Sequence, residues 1–314
     1  MAAAEAADPA HANQRSDVGR RGLRSELSQV SAVPVNTPGR QRGIALVAVL
    51  WIVAALAIVV TSIGYAVRQE VRAVSNSRQA LTGVATGGAA IQLVLQQLAA
   101  TPTRLQALSY SDATFRGVAV RVRVLPLSGL IDINNASPAL LAMMFAVAGQ
   151  VDAERAAALA AAAIDVRSIK DSRGRPVGFE APEDLLRVPG IDYTLYAKIS
   201  ALVTADVQGG GKVIPLAAPA GVLLVLAGGN TAAAARIAAD RESGKLGIDT
   251  TSLNGEFTES NGGNQRLELQ ARVPLPGGRW LLVSRTVDLA GGRDGLPWKT
   301  IHSEYRFEGP GERS

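Results

Sequence analysis

The chain has no cysteine, which excludes disulfides, thiolate metal sites and cysteine nucleophiles. Histidine is almost as scarce: only His11 and His302 occur, and a Ser-His-Asp site would have to use His302. His11 lies in a polar leader and His302 in a strand-like tail, where an ordinary surface or sheet histidine is the expected reading. Aromatic residues make up only 4% of the chain, so any core must rest on Ala, Val, Leu and Ile. What is present is a hydrophobic content of 47% against 19% charge, which rules out broad disorder. The 314 residues suggest about two domains. The net charge of +5 is modest, and Arg15, Arg20, Arg21, Arg24, Arg40 and Arg42 gather at one end. That distribution speaks to membrane orientation before it speaks to nucleic acid.

Residues 1–43 are rich in Ala, Arg, Ser, Pro and Asn without apolar periodicity, and read as a disordered leader. The run from Ile44 to Val67, IALVAVLWIVAALAIVVTSIGYAV, carries no charge. It meets the roughly 20 apolar residues that a membrane-spanning helix needs. Arginines precede it, so the N-terminus is expected in the cytoplasm and everything after Arg68 outside it. An ordinary signal peptide fits less well, because its apolar region covers only about 7–15 residues and ends at a small-residue cleavage site. Helical periodicity continues beyond the span through Val67, Val71, Val74, Leu81, Val84, Ile91, Val94, Leu95 and Leu98, until Pro102 stops it. One helix on the order of 80 Å long is therefore expected, with Gly83, Gly87 and Gly88 as points of weakness or kinking.

The segment after Pro102 changes period. In residues 115–127, Val118, Val120, Val122 and Val124 alternate with Ala119, Arg121 and Arg123, the pattern of a half-buried strand. A helix is expected from Pro138, capped by Asn135 or Ser137, and another over residues 152–166. After a loop at 168–180, an apolar helix, Val188–Pro189–Gly190–Ile191 and a second helix resemble a helix-hairpin-helix unit. Weak internal repetition links residues 131–149 with 213–229: each reads as extended chain, a small-residue cap with proline, and a Leu-rich helix ending at glycine. Residues 241–264 read as a loop. Three alternating runs between 265 and 307, split by Pro-Gly and Gly-Gly turns, read as strands.

Gly43, preceded by a short basic stretch and followed at once by the apolar helix, resembles a type IV prepilin signal. The resemblance implies cleavage by a prepilin peptidase between Gly43 and Ile44 and N-methylation of Ile44. Most members of that class carry Glu at the fifth mature position, where this chain has Ala48. A lone carboxylate in hydrocarbon needs a partner, and the general secretion pathway protein K family is similar to this chain in lacking it. IDINNASP (131–138), APEDLLRVPGID (181–192) and the 213–240 run carry the same resemblance, which covers most of residues 40–240. The fold implied is α+β: a long N-terminal transmembrane helix and a pilin-like antiparallel sheet with an inserted all-helical, helix-hairpin-helix-like domain. The implied boundaries are a cleaved cytoplasmic leader (1–43), the transmembrane and extended pilin-type helix (44–101), the first strands (102–130), the inserted helical domain (131–240), and a loop with the C-terminal strands (241–314).

The function implied is that of a structural, non-enzymatic minor pseudopilin at the tip of a type II secretion pseudopilus, initiating or capping assembly for protein export. Its expected partners are the minor pseudopilins I and J, the prepilin peptidase and the inner-membrane secretion platform. Its expected place is the bacterial inner membrane, single-pass, with the bulk periplasmic. The alternative is a membrane-tethered periplasmic helix-hairpin-helix module, for example in DNA uptake. For that reading Pro189, Gly190 and Asp192 are the residues at issue, since such hairpins offer backbone N–H groups to phosphate. Asp192, however, puts a negative charge where DNA-binding versions usually have a second glycine.

No cofactor is expected from the residues themselves. The family resemblance raises calcium, for which Asp165, Asp171 and Glu180, with Glu183 and Asp184, offer hard oxygen ligands. Arg167, Lys170, Arg173 and Arg175 interleave with them, and no D-x-D-x-D-G spacing exists, so solvated salt bridges are the favoured reading. The GGGK at 209–212 lacks the spacing of a phosphate loop and reads as a linker. Glu183 and Asp184 suit the first turn of a helix without any catalysis.

Overall fold

A computed structural model describes residues 42–100, 105–205, 210–260, 265–291 and 295–309, with the side chains of 42–44 and 61–73 outside the description. The expected leader therefore lies outside the described residues up to position 41, as do the side chains of the expected cleavage pair Gly43 and Ile44. The chain divides into two compact units, Met1–Ala66 and Val67–Ser314.

The described part of the first unit is the beginning of helix α1 (Arg42–Ala100). All described side chains from 45 to 60 are exposed, Trp51 at 73% and Ile58 at 70% among them. Among the described residues no helix is long and apolar enough to cross a membrane. The described side chains of the apolar run end at Val60, short of the expected span.

In the second unit α1 continues without a break through Gly83, Gly87 and Gly88. The expected weakness is offset by packing. A Cβ on Gly87 would lie 2.6 Å from Val283 Cγ2, and one on Gly83 would lie 2.8 Å from Leu281 Cδ2. The two glycines thus let the helix backbone press onto a strand, an approach that any larger residue would prevent.

That strand belongs to a five-stranded antiparallel sheet built from β1 (Ser109–Phe115), β2 (Val118–Pro126), β5 (Arg266–Pro274), β6 (Trp280–Asp288) and β7 (Lys299–Glu308), in the order β1-β2-β5-β6-β7. The expected strand over 115–127 is split after Phe115, because Arg116 (φ 49) and Gly117 (φ 80) form the two-residue turn of the β1–β2 hairpin. One face of the sheet is apolar: Val120, Val122, Val124, Leu267, Leu269, Ala271, Val273, Leu281, Val283 and Val287 pack with Ala90, Ile91, Val94 and Leu95 of α1. The other face carries the polar partners of the alternation, including the Arg121–Asp112 pair at 3.0 Å and Arg123 donating to Gln270 at 3.1 Å.

Between the sheet neighbours β2 and β5 the chain inserts β3 (Ile131–Asp132), α2 (Pro138–Val147), α3 (Ala153–Arg167), α4 (Tyr193–Ile199), β4 (Val203–Thr204), α5 (Ala220–Leu226) and α6 (Thr231–Glu242). The insertion is not all-helical, because β3 and β4 pair in parallel. It is a duplication. Ile131 pairs in parallel with Val203, and the equivalent Val213 bridges in parallel to Thr258. Each extended start leads to the same turn, closed by Asn135 N–H donating to the Asp132 carbonyl at 3.2 Å and by Ala217 N–H donating to that of Ile214 at 3.1 Å. A helix pair follows each turn, α2 with α3 and α5 with α6. The halves also meet reciprocally: a Cβ on Gly129 would strike the Ala217 backbone, and one on the equivalent Gly211 would strike the Asn135 carbonyl. Residues beyond α6 that read as a loop belong to the second half, since Leu253 and Phe257 are buried in its core.

Candidate functional site

IDINNASP forms the first turn of the duplication, and its polar side chains are all engaged locally. Asp132, buried beside β4, accepts from Asn134 N–H at 2.9 Å and from Asn135 Nδ2 at 2.6 Å. Asn134 grips the far end of the 168–180 loop: Phe179 N–H donates to its Oδ1 at 2.7 Å, and its Nδ2 donates to the Phe179 carbonyl at 2.9 Å. Ser137, one of the two expected caps, accepts from Leu140 N–H at 3.2 Å, with Pro138 at the first helical position. Arg167, at the end of α3, reaches back and donates through Nη1 to the carbonyls of Ile133 and Ala136, both at 2.9 Å. In the second half Arg241, near the end of α6, donates through Nη1 to Leu216 at 3.3 Å and Ala218 at 2.5 Å. Burial lowers the pKa of both arginines, and for Arg167 the Asp132 carboxylate works in the opposite direction.

The hairpin segment likewise uses its polar groups on itself. Its first helix is a 3-10 turn over Pro182–Arg187, and its second is α4. Gly190 adopts φ +91, and a Cβ there would lie 3.0 Å from Leu159 Cδ2, so Pro189–Gly190 turns tightly against α3. Val188 and Ile191 on either side are buried. Asp192 caps α4 by accepting from Leu195 N–H at 2.7 Å. Its carboxylate thus occupies the N–H group that a phosphate would need.

The acidic loop does not converge. Asp171 accepts from the backbone N–H groups of Arg173 at 2.8 Å and Arg175 at 2.9 Å, and pairs with the Arg175 guanidinium at 3.0 Å. The Arg175 backbone bond leads in holding this carboxyl below the usual range. Asp184 accepts from Glu180 N–H at 2.8 Å and lies 3.6 Å from Arg187. Among the described residues no group of three or more metal-ligating side chains forms, so Asp165, Asp171 and Glu180 are not brought together. Of the interleaved cations Arg175 pairs with Asp171, whereas Arg167 is spent on backbone carbonyls. His302 stands on exposed β7, 3.6 Å from Glu304. Ala48 lies within the exposed stretch of α1.

Two residues were not singled out from the sequence. Arg241 could have been found by extending the repeat to the end of its second helix, where the first half places Arg167. Arg285 breaks the apolar alternation of β6 on the face turned to α1, a signal visible only once that face is known. No protein-family model matches the chain, and no curated protein matches it. Among solved structures it is similar to a chain in the crystal structure of the GspK-GspI-GspJ complex from the enterotoxigenic Escherichia coli type 2 secretion system. The identity is 16% and the TM-score 0.48, over 76% of this chain and 99% of that one.

Proposed function

We propose that this chain is a minor pseudopilin of the protein K type, a structural subunit at the tip of a type II secretion pseudopilus. The observation that carries the reading is the double character of α1. It starts as an apolar run whose described side chains are all exposed, and it ends keyed by glycines onto an antiparallel sheet that a helical duplication interrupts between β2 and β5. An apolar helix surface of that kind requires either lipid or sister helices around it, which suits a subunit stored in the inner membrane and later drawn into a filament. In this reading prepilin peptidase cuts between Gly43 and Ile44, Ile44 is methylated, and Ala48 marks a subunit with no neighbour above it. The duplicated helical segment blocks further addition, and minor pseudopilins I and J together with the inner-membrane platform are the partners. The role is assembly, with the bulk of the chain in the periplasm.

The test is the mature N-terminal sequence after co-expression with a prepilin peptidase, for wild type and Gly43→Ala. A new N-terminus at Ile44 that the substitution abolishes is expected. An uncut wild-type chain, or cleavage beyond Ala66, overturns the reading and promotes the tethered hairpin module, whose DNA binding would weaken steeply with salt. The capping of α4 by Asp192 weighs against that module.

A further inference from the structure

The two edges of the five-stranded sheet are held differently. β1 alternates half-buried and exposed residues, and its Ala113 packs against the core under α1. β7 has ten residues, and all but the last, Glu308, are exposed. Ile301, Tyr305 and Phe307 are 49%, 57% and 51% exposed, with Tyr305 and Phe307 edge to face. Among the described residues neither apolar core contains a side chain of β7. What holds the strand is its backbone ladder to β6 and its two ends. At one end Trp298, just before the strand, is buried in the core that α1 shares with the sheet. At the other, buried Glu308 pairs with Arg272 at 3.0 Å, and the Arg272 guanidinium lies 4.5 Å from the centre of the Trp280 ring. A bulge interrupts the ladder between them: His302 faces Thr286 and Thr300 faces Val287, which leaves Ile301 without a counterpart.

β6, by contrast, is apolar on both sides. Leu281, Val283 and Val287 are buried against α1, and Leu282, on the opposite side, is buried too. A free edge of that composition is a template for unwanted pairing, whereas charges and a bulge on an edge discourage it. β7 supplies both, with Lys299, His302, Glu304 and Arg306 beside its bulge. We infer that β7 is a guard strand whose His302–Glu308 part opens as a unit, hinged at the Ile301 bulge and latched by the Glu308–Arg272 pair. The rest of the sheet and α1 stay closed while it does so. A segment without core side chains loses little apolar burial on leaving, so its opening belongs to the low end of the stability range within the fold. Opening uncovers the backbone edge of β6, and closing hides it again. The inference goes beyond the pseudopilin reading and stands on the sheet alone.

Hydrogen–deuterium exchange of the purified full chain, resolved to single residues by electron-transfer fragmentation, tests it. The amides of His302–Glu308 that bond to β6 should exchange about tenfold faster or more than those of β2 and β5. In β6 the alternate amides that bond to β7 should follow β7, and those that bond to β5 should stay protected. Glu308→Gln, which removes the charge from the latch, should speed this exchange about tenfold further and leave β2 and β5 unchanged. Exchange of β7 at the rate of β2 and β5 overturns the guard strand, as does equal acceleration of all strands by the substitution. Fast exchange confined to Phe307 and Glu308 overturns it as well, because that is fraying of an end. If Glu308→Gln does not fold, the wild-type rates and the alternation within β6 decide alone. None of these outcomes bears on cleavage at Gly43, so the two readings fail separately.

Discussion

The two halves of the inserted segment reach the same backbone by different chemistry. The first closes its turn with Asp132, Asn134, Asn135 and a Ser137 cap, while the second has Ile214, Leu216, Ala217 and Pro219 at equivalent places and no side-chain cap. Both nevertheless end their helix pair in an arginine that returns to the turn carbonyls. A turn leaves carbonyls facing inward whatever its side chains are, and buried carbonyls need donors. The arginine is therefore the part of the device that both halves keep. The polar residues of the first half serve a second purpose, since Asn134 ties down the longer excursion that carries the hairpin before β4.

This comparison predicts unequal losses. Arg167→Met should destabilise the chain by about 3 kcal/mol, because it orphans two carbonyls and also removes the cation near buried Asp132. Arg241→Met should cost about 2 kcal/mol, because no buried carboxylate is left behind. Urea denaturation of the purified chain measures both, and equal losses would show that Asp132 does not depend on Arg167.

Next in size are the reciprocal glycines. Gly129→Ala and Gly211→Ala should each cost about 1–3 kcal/mol through overpacking. Gly211 should lose more, because its φ of +74 adds backbone strain. The double variant should depart from additivity, because both substitutions push the same two turns apart. Strict additivity would mean that the halves do not share an interface.

The smallest effect belongs to the hairpin that only the first half carries. The Tyr196 hydroxyl is pushed up to about 12, by burial first and then by the Glu183 carboxylate. A folded value above the ordinary tyrosine value means that this contribution is complete below about pH 10 and disappears as pH rises toward 12. Tyr196→Phe should flatten the alkaline limb of the stability profile, followed by denaturation midpoints between pH 9 and about 12. An unchanged limb would place the alkaline sensitivity elsewhere.

Much of this was legible in the sequence because it depends on period and on backbone chemistry alone. The α1 pattern, the valine alternation of β2, the three C-terminal strands, the Ser137–Pro138 helix start and the paired 131 and 213 segments are all properties of neighbouring residues. What the tertiary structure decided depends on residues far apart in the chain. Gly83 and Gly87 look like helix breakers until Leu281 and Val283 are placed against them, where the missing side chains become the reason the layers touch. The duplication is faint as sequence, because its identity lies in carbonyl positions rather than side chains, and Arg167 and Arg241 are its common mark. Arg285 is one charge among many in the sequence. Only the sheet turns it toward α1, where it donates to Gln92.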